Sequence, residues 1–77
     1  MITPDKTFGQ RLKEFRKDRK ISQIKLAELA RVSLGTISSY EADEVMPSLG
    51  TVVHICDILE VDIEYLIPED WHIQKEN

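Results

Sequence analysis

The stretch SQIKLAELARVSLGTISSYE, residues 22–41, decides the fold. Ser22 and Ser33 are each preceded by an apolar residue and followed four residues later by another, which is the pattern of a helix N-cap with a hydrophobic staple. The two serines therefore predict two helices, at residues 22–30 and 33–41. Because only a tight turn separates them, the helices cannot lie antiparallel and must cross steeply.

Such a crossing needs a small side chain at the closest approach and apolar side chains around it. Ala27 meets the first need. The apolar residues that we expect in the core shared by the two helices are Leu26, Leu29, Ile37 and Tyr40.

The rest of the chain shows the same helical periodicity, with no alternation typical of a strand, and the predicted class is all-α. The first helix has an apolar stripe formed by Phe8, Leu12 and Phe15. Its start has two candidates. One is Thr3 followed by Pro4, and the other is Thr7 with Gln10 in a capping box.

Ser48 and Asp62 are the candidate N-caps of two further helices, at residues 48–60 and 62–67. Their expected core residues are Leu49, Val52, Ile55, Cys56, Leu59, Ile63 and Leu66. The predicted organisation is one domain at 8–67, an N-terminal extension or helix start at 1–7, and a polar C-terminal tail at 68–77.

The net charge of −4 opposes binding to nucleic acid, because DNA affinity depends on Lys and Arg. The charges are, however, separated along the chain. Residues 1–31 hold nine of the ten basic residues and four acidic ones, whereas residues 32–77 hold ten acidic residues and Lys75. This polarity fits either a cationic face presented to DNA or a solvated face with an acidic tail.

The sequence argues against several other classes of protein. It has no apolar run of membrane-spanning length and no secretory leader, so we expect no membrane partner and a cytoplasmic location. His54 and Cys56 lie two residues apart on one predicted helix and face different directions, which does not suit a metal site or a catalytic pair. We expect no enzyme activity, cofactor or metal, and a buried Cys56.

Motifs at fixed spacing run through the chain: FGQRL at 8–12, Ser22-Gln23 with Ala27, Val32-Ser33, Thr36-Ile37-Ser38, Tyr40-Glu41, Pro47-Ser48-Leu49 and Val61-Asp62. Together they resemble the phage-repressor-like helix-turn-helix family, of the Cro and cI (XRE) type, over residues 8–66. Several dispersed matches are more specific than one short motif. The resemblance implies a compact five-helix, lambda-repressor-like DNA-binding domain, with helices two and three as the helix-turn-helix.

The resemblance also implies which residues of the third helix meet base edges or nearby phosphates. They are Ser33, Leu34, Gly35, Thr36, Ser38 and Ser39. None is Arg, Lys, Asn or Gln, so the bidentate pairings that best discriminate guanine or adenine are not offered. We expect modest direct readout, through an apolar contact from Leu34 to a thymine methyl and single hydrogen bonds from the hydroxyls.

Phosphate contacts are expected from a second set of residues: Ser22, Gln23, Lys25, Arg31, Arg11 and Lys6. Gln23 begins the second helix, where its amide and the helix N-terminus can both donate to an oxyanion. The alternative is that Gln23 is a solvated residue of the first turn.

Two further roles are expected, the first from the resemblance and the second from apolar residues left over on the fifth helix and tail. Arg16 and Glu41 occupy positions that often form an ion pair between the first and third helices, and the alternative is two exposed charges of little effect. The expected dimer interface consists of apolar residues on the fifth helix and tail, namely Ile63, Ile67, Trp71 and Ile73. The alternative is that the lone domain buries them.

The chain departs from the family pattern at the turns. Lys20 and Arg31 stand where relatives often have glycine in a left-handed conformation. After the third helix, Asp43 and Glu44 would repel phosphate. Either this loop points away from the duplex, or binding is weak, or the two acids serve a protein partner.

Two functions of different classes follow. The first is a sequence-specific DNA-binding transcriptional regulator, a repressor that binds a palindromic operator as a homodimer. The alternative is a protein-interaction module, such as the antitoxin of a toxin–antitoxin pair, that binds its partner through the acidic C-terminal half. A DNA-binding fold that has lost DNA binding is a further alternative, because the recognition face is weak.

Overall fold

The computed structural model describes residues 6–67, and its elements are all helical within that range. The helices are α1 (Phe8–Asp18), α2 (Gln23–Ala30), α3 (Leu34–Glu41), α4 (Leu49–Leu59) and α5 (Ile63–Leu66). The predicted five-helix, all-α class is confirmed. No helix between residues 6 and 67 is long and apolar enough to cross a membrane.

Side-chain caps begin four of the five helices. Ser22, Ser33 and Ser48 each accept a hydrogen bond from the backbone N–H three residues ahead, as predicted. Asp62 occupies the N-cap position of α5, but its side chain makes no capping hydrogen bond. The hydroxyl cap of each longer helix satisfies one of the backbone donors that a helix start leaves without a partner.

Thr7 is the N-cap of α1, which decides between the two candidate starts. Its Oγ1 accepts from the Gln10 N–H at 3.1 Å, and the Gln10 Oε1 accepts from the Thr7 N–H at 2.9 Å. These two bonds form the predicted capping box. Thr3 lies outside the described residues.

The helices pack in a closed ring, α3 against α2, α2 against α4, α4 against α5, α5 against α1 and α1 against α3. Their buried apolar residues form one core: Phe8, Leu12, Leu26, Ala27, Ala30, Ile37, Tyr40, Val52, Ile55, Cys56, Leu59 and Leu66. Phe15 is half-buried against it. α3 is therefore held on two sides, by α1 and by α2.

Leu29 and Leu49 were expected in the core, and that prediction is wrong. They are 41% and 46% exposed. Leu29 is rotated away from the face of α2 that buries Leu26, Ala27 and Ala30. Leu49 is the first residue of α4, nearly one turn before the first buried residue of that helix.

Four turns place a residue other than glycine in the left-handed region. Lys20 and Arg31 have φ of 59° and 63°, and Asp43 and Glu60 have φ of 61° and 60°. The left-handed geometry at Lys20 and Arg31 agrees with the resemblance, in which glycine is frequent at both positions. Each such residue costs about 1 kcal/mol relative to glycine.

Candidate nucleic-acid interface

The outer face of α3 is the candidate recognition surface. Leu34, Gly35 and Ser38 are exposed, and the Leu34 side chain retains 45% of its accessible surface. Ile37 and Tyr40 lie on the opposite side and are buried. The helix thus keeps its large core-facing residues inside and presents small and apolar groups to solvent.

Three hydroxyl groups of this surface already have partners within the chain. Ser33 Oγ and Thr36 Oγ1 share a hydrogen bond of 2.9 Å, and the Thr36 N–H also donates to Ser33 Oγ. Ser39 donates its hydroxyl hydrogen to Glu44 Oε1 at 3.2 Å. Contacts from Thr36 or Ser39 to a base must therefore compete with internal bonds, which leaves Leu34 and Ser38 as the more accessible groups.

A buried polar network fixes the orientation of α3. The Arg16 guanidinium donates to both oxygens of the Glu41 carboxylate, from Nε at 2.5 Å and from Nη2 at 3.1 Å. It also donates from Nη1 to the Ile21 carbonyl at 2.8 Å. Gln23 Nε2 donates to Glu41 Oε1 at 2.9 Å. Because Arg16, Gln23 and Glu41 belong to three different helices, the network locks α1, α2 and α3 together.

The structure brings the predicted ion pair together in a largely water-excluded site, since the side chains of Arg16 and Glu41 are 9% and 4% exposed. The alternative of two exposed charges does not hold. Gln23 is half-buried, with its amide in this network, and its contact to phosphate stays a prediction.

Arg11 was expected to contact phosphate, and the structure contradicts this. The residue is 5% exposed, and its Nη1 donates to the carbonyl oxygen of Ile67 at 3.2 Å. The side chain is buried where α1 packs against α5, so it cannot reach a ligand outside the domain.

The remaining residues of the predicted phosphate-binding set lie at the surface. Arg31 and Lys25 are exposed, and Lys25 Nζ lies 3.9 Å from Glu28 Oε1. Lys6 is half-buried and pairs with Glu14. Ser22 is exposed, and its hydroxyl accepts from the Lys25 N–H. The cations at the start of α2 and in the turn before α3 therefore stay accessible to an anionic ligand.

Arg19 has a structural role that the sequence analysis did not identify. Its Nε donates to the Leu59 carbonyl at 2.7 Å, and its Nη2 donates to the Glu60 carbonyl at 3.2 Å. These bonds cap the C-terminus of α4, where a cation also interacts favourably with the negative end of the helix dipole. A signal was present, because Arg19 continues the spacing of Phe8, Leu12 and Phe15 along α1.

Asp43 is bound to the start of α1. Its Oδ2 accepts from the Thr7 hydroxyl at 2.6 Å, and its Oδ1 accepts from the Gly9 N–H at 2.9 Å. A carboxylate at a helix N-terminus is favoured by the dipole and by the free N–H groups. The sequence analysis did not identify this structural role, and its expectation that Asp43 repels phosphate or serves a protein partner stays a prediction.

The apolar residues predicted as a dimer interface are only partly available. Ile63 and Ile67 are half-buried against the core of the same chain. Tyr65, on the same helix, is 49% exposed. Trp71 and Ile73 lie outside the described residues.

His54 and Cys56 point to different neighbours. His54 Nε2 lies 3.2 Å from the Leu29 carbonyl oxygen. Cys56 is buried, and this burial is the main cause of a raised pKa of its thiol. The nearby carboxylates of Asp57 and Asp62 raise that pKa further. Within residues 6–67, no three His, Cys, Asp or Glu side chains are grouped to hold a metal ion.

Comparisons with known proteins match the same part of the chain. The immunity repressor protein of Bacillus phage phi105 is 36% identical over 70 residues, which are 91% of this chain and 49% of the relative. The structure of the P22 c2 repressor in complex with a synthetic operator has a TM-score of 0.78 at 29% identity. The match covers 84% of this chain and 98% of the P22 c2 repressor chain. The biofilm regulator SinR, in complex with DNA, has a TM-score of 0.73 at 33% identity, with 78% and 97% covered.

The chain spans about half the length of the curated relatives it matches. A family profile described as helix-turn-helix matches residues 12–66, which include α2 to α5 and most of α1. On this match, the chain belongs to the helix-turn-helix family of the phage-repressor, Cro and cI type.

Proposed function

We propose that the protein is a DNA-binding transcriptional repressor that places α3 in the major groove. The observation that carries the proposal is the exposed face of α3, held rigidly by the network of Arg16, Gln23 and Glu41. A reading helix must keep its angle to the groove, and side chains locked by buried hydrogen bonds provide this. Two similar structures contain DNA, and several relatives are named as repressors or regulators.

The phosphate contacts would come from the start of α2 and from the turn before α3. The start of α2 has N–H groups without a partner inside the helix, Lys25 in its first turn is exposed, and Arg31 is exposed in the turn before α3. Gly35 supports a close approach of DNA, since a Cβ there would meet only Ser33 Oγ, at 3.9 Å. The protein itself therefore does not require glycine at this position.

The regulator would bind a palindromic operator as a dimer, with half-sites about one helical turn apart. Tyr65, together with the half-buried Ile63 and Ile67, would contribute the part of the dimer surface that lies on α5.

The proposal is tested by selecting genomic DNA fragments with the purified protein. We expect a recurring palindrome, which is then titrated beside a scrambled duplex at about 50 mM and about 200 mM salt. A site bound at least about a thousandfold more tightly than the scrambled duplex supports the repressor function. Recovery of no common motif contradicts it.

Leu34→Ala tests how the operator is read. If Leu34 contacts a thymine methyl, replacing that thymine by uracil is expected to weaken binding of the parent about fourfold, the value of one buried methyl. The Leu34→Ala protein should not distinguish the two duplexes. The matched control is Val53→Ala, because Val53 is also 45% exposed but lies on α4. Equal losses for parent and Leu34→Ala on uracil duplexes would refute the contact.

A further inference from the structure

We propose that Glu44 is an affinity-setting residue of the DNA interface, where its carboxylate repels phosphate and lowers binding to every sequence. This inference rests on the proposed function. Three acidic residues lie at or just after the end of α3, and only their surroundings tell them apart.

Two of the three acids are bound by groups of α1 or its N-cap. The carboxylate of Glu41 is 4% exposed and bound by the guanidinium of Arg16. The carboxylate of Asp43 accepts from Thr7 and Gly9 at the positive end of α1. A cation therefore offsets the charge of Glu41, and the positive end of a helix offsets part of the charge of Asp43.

Glu44 differs from both in the partner of its carboxylate. Like Asp43 it is exposed, but its carboxylate is bound by the neutral hydroxyl of Ser39, at 3.2 Å, and not by a guanidinium or by the start of a helix. A second bond, from the Glu44 N–H to the Ser39 carbonyl at 2.9 Å, fixes the backbone in the same place. The negative charge is therefore retained and held against α3.

The position of Ser39 decides what this charge meets. Ser39 lies one helical turn after Gly35 and on the side of α3 opposite to the buried Ile37. It is about 7.5 Å along the helix axis from Leu34. Since the Debye length at 0.1 M salt is about 10 Å, the Glu44 charge acts on phosphates that flank the recognition surface. α3 carries no basic side chain that would offset it.

A charge in this place weakens binding without regard to base sequence, because phosphates are the same everywhere. Affinity must then come from contacts that a suitable site alone supplies, such as the apolar contact from Leu34. Removing the charge should tighten binding to the operator and to a scrambled duplex alike.

Glu44→Gln tests the inference, because the amide keeps an acceptor oxygen for Ser39 and loses only the charge. We expect several-fold tighter binding to both duplexes at about 50 mM salt. The gain should shrink about threefold at about 200 mM salt, as expected for one charge acting on phosphate. The matched control is Glu64→Gln, which changes the net charge equally at an exposed position on α5.

Each other outcome overturns the inference in a recognisable way. An equal gain for Glu64→Gln would assign the effect to net charge. A loss of affinity confined to cytosine-containing sites would make Glu44 a base-reading residue, since a carboxylate accepts from cytosine N4. If the parent binds DNA and Glu44→Gln binds it with the same affinity, the role of Glu44 is refuted and the proposed function is not. If neither protein retains any duplex, the proposed function fails as well.

Discussion

Replacing Gly9 by alanine is expected to destabilise the fold by about 3 kcal/mol or more. A Cβ at this position would lie 2.5 Å from the Glu41 carbonyl oxygen and 2.6 Å from that of Tyr40. Both atoms belong to the backbone of α3, so no side-chain rotation relieves the contact. The added methyl must push the start of α1 away from the end of α3, which also stretches the hydrogen bond from Gly9 to Asp43.

Urea unfolding of Gly9→Ala and Gly50→Ala measures this effect against a matched control. Gly50 also lies in the first turn of its helix, but nothing stands within 4 Å of the added Cβ. Alanine is the better helix former by about 1 kcal/mol, so Gly50→Ala should stabilise the protein. The same substitution is thus expected to have opposite signs at two helix starts. A Gly9→Ala protein with the midpoint of the parent would refute the close approach.

The helix starts could be predicted because their signals are local. A hydroxyl cap and the N–H that it binds are three residues apart, so Ser22, Ser33 and Ser48 carry most of their own evidence in the sequence. Thr7 with Gln10 was one of two local patterns, and the structure selects it.

The unpredicted features join residues far apart in the chain. Arg11 binds the carbonyl of Ile67, and Arg19 binds that of Leu59. Asp43 reaches back to Gly9. In a sequence, an arginine that caps another helix looks the same as an arginine that binds phosphate. The two roles can be told apart only when the positions of α4 and α5 relative to α1 are known. For this reason, the clustering of positive charge overstated the surface available for DNA.

The same limit applies to the acids after α3. Asp43 and Glu44 are adjacent and have the same charge, and the sequence analysis treated them alike. The left-handed turn at Asp43 directs its carboxylate toward α1, whereas that of Glu44 lies against Ser39. Only the course of the backbone separates the acid that binds the start of α1 from the one that lies against α3.

Arg16→Met is expected to destabilise the protein by about 3 to 5 kcal/mol. The change leaves the Glu41 carboxylate, which is 4% exposed, with Gln23 as its remaining side-chain donor. It also removes the donor to the Ile21 carbonyl. A buried charge without its counterion is costly, whereas an exposed pair is worth little. Lys25→Met is the control, since its pair with Glu28 is exposed and 3.9 Å long, and its loss should cost less than about 1 kcal/mol.

Replacing both partners distinguishes stability from orientation. Arg16→Met combined with Glu41→Met removes the buried charges together, so the double variant should recover much of the lost stability. It would still lack the hydrogen bonds that hold α3 against α1 and α2. We therefore expect the folded double variant to bind the selected operator less tightly than the parent, relative to a scrambled duplex. If it discriminates as well as the parent, the network serves stability alone, and apolar packing around Ile37 and Tyr40 sets the angle of α3.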